Sequence, residues 1–264
     1  MSYARTMPKL AANLSMLFKE VPFLDRFAAA AGAGFRAVEY QYPYEWRPED
    51  IAARARDAGV QIVLHNMPRG EAERSEHGTA CLPGREARFR EDLERAVEYA
   101  RAAGCTRLHC MAGVAPPHAD RAGLQAAYVA NLKYAAGRLQ AEGMQVLIEP
   151  LSARSVVGYF LAGSAQAART LDEVAAANVL IQYDVFHMQL MEGNLAEGIE
   201  RLLPRIGHLQ IADVPGRHEP GSGEINFDFL LRHLDAIGYS GWVGCEYNPQ
   251  GDTAQGLKWA KPYL

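Results

Sequence analysis

The stretch Ala141-Glu-Gly143-Met144-Gln-Val-Leu-Ile-Glu149 decides how this chain is read. An alanine-rich helical tail stops at a glycine, and a short apolar run follows and ends on a carboxylate. Glycine at that junction accepts the positive φ of a left-handed helix cap. A short apolar run bounded by such a cap reads as a buried parallel strand. The junction recurs at Gly34 before Phe35–Tyr40, at Gly59 before Val60–His65 and at Gly104 before Cys105–Cys110. It returns at Asn178 before Val179–Asp184 and at Gly238 before Tyr239–Glu246. Lys9–Met16 and Ile206–Asp213 supply two further strand candidates. Helical stretches fit between them at Phe23–Ala33, Pro48–Ala58, Arg85–Ala103, Arg121–Glu142, Ser164–Ala177, Leu195–Leu203, Phe227–Ile237 and Gln255–Tyr263. Asp120, Ser164, Asn194 and Asn226 are the expected N-caps. Eight β–α units in about 250 residues match an α/β chain folded as a (β/α)8 TIM barrel. A doubly wound open sheet is the alternative, but no glycine-rich phosphate turn follows the first strand. No linker composition interrupts the chain, so residues 1–264 read as one domain.

Composition narrows the function. Apolar residues make up 49% of the chain and charged residues 22%, the balance of a globular protein with a full core. Lys and Arg number 27 against 31 Asp and Glu, a net charge of −4 that offers nothing to a phosphate backbone. No run of about 18 apolar residues marks a membrane span. The opening Met-Ser-Tyr-Ala-Arg-Thr lacks a secretory pattern. Cys81, Cys105, Cys110 and Cys245 form no C-x-x-C pair and read as reduced, buried thiols of a cytoplasmic protein.

Active sites of such barrels lie at the C-terminal strand ends. Those ends carry Asn13, Glu39, His65, His109, Glu149, Asp184, Gln210 and Glu246. Glu149, Asp184, Gln210 and Glu246 stand on four consecutive strands, and strands lie about 5 Å apart. Carboxylates so close repel unless a cation joins them. An all-oxygen set suits Mg²⁺ or Mn²⁺ better than Zn²⁺. The alternative is pairing with Arg or Lys from the loops.

The motifs resemble a known family. Glu149-Pro150, Asp184-Val-Phe-His187, His208-Leu-Gln-Ile-Ala-Asp213 and Gly244-Cys-Glu246-Tyr resemble the xylose isomerase-like barrels. Ala12–Phe18, Leu64–Pro68, Ile181–Gln189, Gly207–Asp213, Gly221–Phe227 and Gly241–Tyr247 are similar to motifs of hydroxypyruvate isomerases, and the sister 2-oxo-tetronate isomerases share them. The similarity spans about Lys9 to Tyr263. It implies a metal-dependent isomerase that moves a proton between adjacent carbons of a small 2-oxo acid or sugar acid. It assigns proton transfer to Glu149 and Glu246, and these glutamates also touch the metal in that family. It places His187 on a substrate oxygen.

Other residues follow from chemistry. A 2-oxo acid needs a cation for its carboxylate, and Arg217 in the loop after the seventh strand fits; a solvated loop arginine is the alternative. His65 is either a substrate-side residue or a core histidine. Glu39 is expected in the pocket wall or paired with Arg85 or Arg217. The loop 66–84 is long enough to close over the site. Tyr40, Tyr42, Tyr44 and Trp46 either wall the pocket or form an interface. No second acid follows Glu149-Pro150, unlike ketohexose epimerases. Ser152 and Ala153 replace an Asn-His common in hydroxypyruvate isomerases. Other sugar isomerases, an abasic-site endonuclease and a non-catalytic barrel are the competing readings. No nucleic-acid or membrane partner is expected, and a homo-oligomer is compatible with the sequence.

Overall fold

In the computed structural model, which describes residues 8–71 and 76–264, the apolar runs form eight parallel strands. They are β1 (Lys9–Asn13), β2 (Ala37–Tyr40), β3 (Gln61–Asn66), β4 (Arg107–His109), β5 (Gln145–Ile148), β6 (Val179–Asp184), β7 (Ile206–Ile211) and β8 (Trp242–Cys245). Each pairs with its sequence neighbours, and β8 pairs back to β1, which closes the barrel. The opening hexapeptide and the centre of the 66–84 loop lie outside the described residues.

The helices are α1 (Arg26–Gly32), α2 (Pro48–Ala58), α3 (Glu86–Ala103), α4 (Arg121–Gln140), α5 (Ser164–Val174), α6 (Val185–Met191), α7 (Leu195–Leu202), α8 (Phe227–Ala236) and α9 (Thr253–Gly256). Gly59 and Gly104 end α2 and α3 in the left-handed conformation at φ 68° and 63°. Asp120 caps α4 by accepting from the Ala122 and Gly123 amides. Asn226 caps α8 by accepting from Phe229. Ser164 is not the expected cap. Gly163 takes that position, and the Ser164 amide and hydroxyl both donate to Glu192, each at 2.7 Å. Asn194 holds a cap position, but its amide donates to the Glu197 side chain. Helix α6 was not expected at all. Asp184 ends β6 and, in the next step, caps α6 by accepting from the Phe186 amide at 2.8 Å.

Small side chains, Ala11, Ala37 and Val63, pack together at the base of the barrel. Larger side chains of the outer strand faces and the helices form the main core. Among the described residues no helix is long and apolar enough to cross a membrane. All four cysteines are free and buried. Burial pushes the Cys81 and Cys110 thiols up to about 12, so they pack as inert apolar groups.

Candidate active site

The pocket at the C-terminal mouth is lined by Gln41, Tyr42, Asn66, His109, Glu149, His187, Arg217 and Glu246, among others. Glu149 lies just past β5, Asp184 ends β6 and Glu246 lies just past β8, so the barrel brings the three acids to one place. All three are buried. Burial, with the charges of Glu246 and Asp184 beside it, pushes the Glu149 carboxyl well above the usual range. Burial raises Glu246 to about 7, against the opposing pull of Arg217. Glu149 Oε1 is buried without a hydrogen-bond partner among the described residues.

Arg217 bridges two of the acids. Its Nη2 donates to Glu246 Oε2 at 2.7 Å and to Asp184 Oδ2 at 3.2 Å. Burial opposes its charge, but Glu246, Asp184 and Glu149 together keep the guanidinium protonated. The Arg217 backbone sits at φ 55°, and Phe186 packs under its guanidinium at 5.0 Å. This is neither a solvated loop arginine nor a free carboxylate receptor.

Ligand atoms of Glu149, Asp184 and His187 all lie within 4.8 Å of one another. The histidine is nonetheless a donor there. Its Nδ1 accepts the Ser152 amide at 3.3 Å, so a neutral ring carries its hydrogen on Nε2. That Nε2 faces Asp184 Oδ2 at 3.5 Å. Burial pushes His187 down to about 4, so it is neutral near pH 7. The contact uses a main-chain amide, so the serine at position 152 supplies it as well as any other residue except proline would.

His109, a strand-end residue with no role assigned from the sequence, faces the site. Its Nδ1 lies 3.2 Å from Asn66 Oδ1 and 3.5 Å from Glu149 Oε2. Gln41 also escaped notice. It lies two residues past the inward Glu39, and its amide donates to Glu246 Oε1 at 2.9 Å. Its position on the alternation of β2 was the available signal.

Two expectations fail. His65 does not reach the pocket. The register between β2 and β3 shifts at Val38/Glu39, which pairs His65 with Tyr40. Both rings turn to the helices and stack at 5.9 Å. His65 Nδ1 contacts the Asn66 carbonyl at 3.1 Å, and the ring is fully buried. Glu39 is not in the pocket wall and pairs with neither arginine. It lies inside the barrel, where Asn13, Gln210 and His208 surround its carboxylate. Arg85 instead pairs with Glu76 and Glu71. Of the four aromatics, Tyr42 lines the pocket. Tyr40 and Trp46 pack against Phe23, and the Tyr44 hydroxyl donates to the Asn66 carbonyl. The described parts of the 66–84 loop are packed down, with Gly78 against the Met111 backbone and the Glu76 carboxylate on Arg85.

A closed parallel barrel with buried acids at its C-terminal mouth defines a (β/α)8 protein built for acid–base chemistry. The chain belongs to the xylose isomerase-like TIM barrel family, whose profile matches residues 27–263. It is 48% identical over 258 residues to 2-oxo-tetronate isomerase of Cupriavidus necator, covering 98% of this chain and 99% of that one. It is 44% identical over 257 residues to hydroxypyruvate isomerase of Escherichia coli, covering 97% and 100%. A crystal structure described as AP endonuclease, family 2, from Brucella melitensis superposes with a TM-score of 0.95 at 44% identity, covering 97% of this chain and 99% of that one. The fold is also shared with 3-keto-D-glucoside 4-epimerase of E. coli, at a TM-score of 0.79 and 22% identity, over 97% and 100% of the two chains. The curated relatives support an isomerase of this kind.

Proposed function

We propose that the chain interconverts hydroxypyruvate and tartronate semialdehyde, with Glu149 and Glu246 moving the proton. The observation that carries this reading is the pair of buried glutamates in one pocket, both with raised proton affinity. A group that takes a proton from carbon and returns it works best when its pKa is near the working pH. Glu246 meets that condition. Asn13 and Gln41 hold its Oε1, and Arg217 holds its Oε2.

The donor set fits a divalent cation. Three carboxylates crowd one buried site, and Glu149 Oε1 has no partner there. Gln210 is the register neighbour of Asp184, and its Oε1, which accepts from Gln182, would add an amide oxygen. Glu149, Asp184, Gln210 and Glu246 would hold Mg²⁺ or Mn²⁺. Such an ion supplies charge stabilisation for an oxyanion developing beside the reacting carbons.

The chain's own residues do the rest. One glutamate removes a proton from C3 of hydroxypyruvate, and the electrons form the enediolate. Protonation at C2 and passage of the O3 proton to O2 complete tartronate semialdehyde, so no atom is gained or lost. His187 donates through Nε2 to a substrate oxygen and stays neutral. Arg217 offers the substrate carboxylate N–H groups at the guanidinium edge not used by Asp184 and Glu246. A 2-oxo-tetronate, one carbon longer, would react at the same two positions and is the second substrate to assay. The net charge of −4 gives no support to a nucleic-acid substrate.

The test follows both conversions with wild-type protein, with Glu246→Gln, and after chelation. Turnover of hydroxypyruvate that falls by orders of magnitude in the last two supports the reading. Full activity of Glu246→Gln removes the proton-transfer role, and full activity after rigorous metal removal removes the cation. Turnover of the tetronate alone reassigns the substrate.

A further inference from the structure

Glu39 lies in the barrel interior, where it touches β7 and β1 rather than the pocket. Its Oε1 accepts from Gln210 Nε2 at 2.7 Å and from Asn13 Nδ2 at 2.9 Å. Its Oε2 lies 2.5 Å from His208 Nε2. Strands β2 and β7 are not neighbours, so these bonds cross the barrel lumen. Gly244 makes room for the carboxylate: a Cβ there would lie 2.3 Å from Glu39 Oε2. Every partner is buried. Glu39 therefore presents acceptors to three donors in a space closed to water.

This arrangement fixes which end of two side-chain amides points where. The Gln210 nitrogen is committed to Glu39, so its oxygen must face the other way. That oxygen accepts from Gln182 Nε2 at 2.6 Å and keeps a second lone pair. Asn13 is oriented in the same way. Its nitrogen is shared between Glu39 Oε1 and Glu246 Oε1, the latter at 3.2 Å.

We infer that Glu39 is a positioning residue: it locks Gln210 with its amide oxygen available to a divalent cation, and through Asn13 it fixes Glu246. The inference rests on the proposed cation site. A methionine at position 39 leaves the buried nitrogens of Gln210 and Asn13 without their shared acceptor, and relief comes when the Gln210 amide turns over. The turned amide presents N–H groups to the cation and to Gln182, both unfavourable. Partners of this kind commonly change metal affinity by about 10–100-fold when they are replaced.

The test is direct Mn²⁺ titration, read by loss of the free-ion electron paramagnetic resonance signal, with no turnover involved. Glu39→Met is expected to weaken Mn²⁺ binding by about 10–100-fold while thermal unfolding stays cooperative. Glu39→Asp keeps the acceptors but withdraws them, and it gives the same readout if the first variant does not fold. Glu39→Gln keeps an oxygen for Gln210 and Asn13 and donates its NH₂ to His208 Nε2 once that ring carries its hydrogen on Nδ1, so Mn²⁺ affinity should stay within a few-fold of wild type. Wild-type Mn²⁺ affinity in folded Glu39→Met or Glu39→Asp overturns the positioning role and leaves the cation site standing. A Glu39→Gln protein that binds as weakly as Glu39→Met also overturns it. Wild-type protein that binds no Mn²⁺ overturns the cation site itself.

Discussion

The Ser152 amide donates to His187 Nδ1 at 3.3 Å, and this contact settles what the ring can do. The hydrogen of the neutral ring is forced onto Nε2, which faces Asp184 and the pocket. In the proposed reaction His187 would therefore act as a donor to developing negative charge. His187→Ala is expected to lower kcat by about 10²-fold, the scale for one lost oxyanion donor. Divalent cation affinity should change little. The ¹⁵N spectrum of wild type should show the Nε2–H form at pH 7, and an Nδ1–H form there would refute the donor assignment.

Arg217 pairs with both Asp184 and Glu246, with a side chain only 22% exposed. Removing it leaves two buried carboxylates without their counter-charge, a loss of about 3 kcal/mol in comparable buried pairs. A bound divalent ion would compensate. Arg217→Ala should therefore lower Tm by on the order of 5–10 °C in chelator, and by less in excess Mg²⁺. Calorimetry under the two conditions checks this. Equal losses with and without the ion would count against a shared charge balance at the site.

His65 gives a pH test away from the site. Burial pushes its ring down to about 4, against a small opposing effect of the Asn66 carbonyl. Its unfolded value is near 6.5. Between those values the unfolded chain takes up a proton that the folded chain excludes. Stability therefore falls as pH drops through this window, and the loss is about 2 kcal/mol between pH 7 and pH 5 for this ring. His65→Gln cannot titrate. Its lost packing against Tyr40 weakens it at both pH values alike. Urea unfolding should thus show wild type losing about 2 kcal/mol more than the variant on moving from pH 7 to pH 5. Parallel losses would mean that His65 is protonated inside the fold.

These residues show what was legible in the sequence. The strand ends could be read because a glycine or asparagine cap, an apolar run and a terminal polar residue form a local pattern. Glu149, Asp184 and Glu246 were found that way, and barrel closure brings them together. His65 ended an equally clear run, but a register shift at Val38/Glu39 turned it to the helices. Such a shift has no local signature. Glu39 looked like one more mouth residue because its partners on β7 are about 170 residues away, with |i−j| of 169 and 171. Helix α6 was hidden because Asp184 serves as both strand end and helix cap.

Asp213 is the last residue of the seventh-strand motif, and it holds the loop that delivers Arg217. Its carboxylate accepts from the amides of Val214, Gly221, Gly223 and Ile225, at 2.9–3.0 Å. The Arg217 amide donates to the Asp213 carbonyl at 2.9 Å, which ties the loop's tip to the same residue. Gly223 lies so near that a Cβ would come within 2.0 Å of the Val214 carbonyl, so the loop packs with no room to slide. Asp213→Asn keeps the size but turns an NH₂ toward amides that need an acceptor. Leaving buried amides unsatisfied costs about 1–3 kcal/mol each. The expected result is a drop of several degrees in Tm and a rise in KM larger than the fall in kcat, because Arg217 loses its fixed position. Asp213→Asn with wild-type KM and Tm would show that the loop holds Arg217 without the carboxylate.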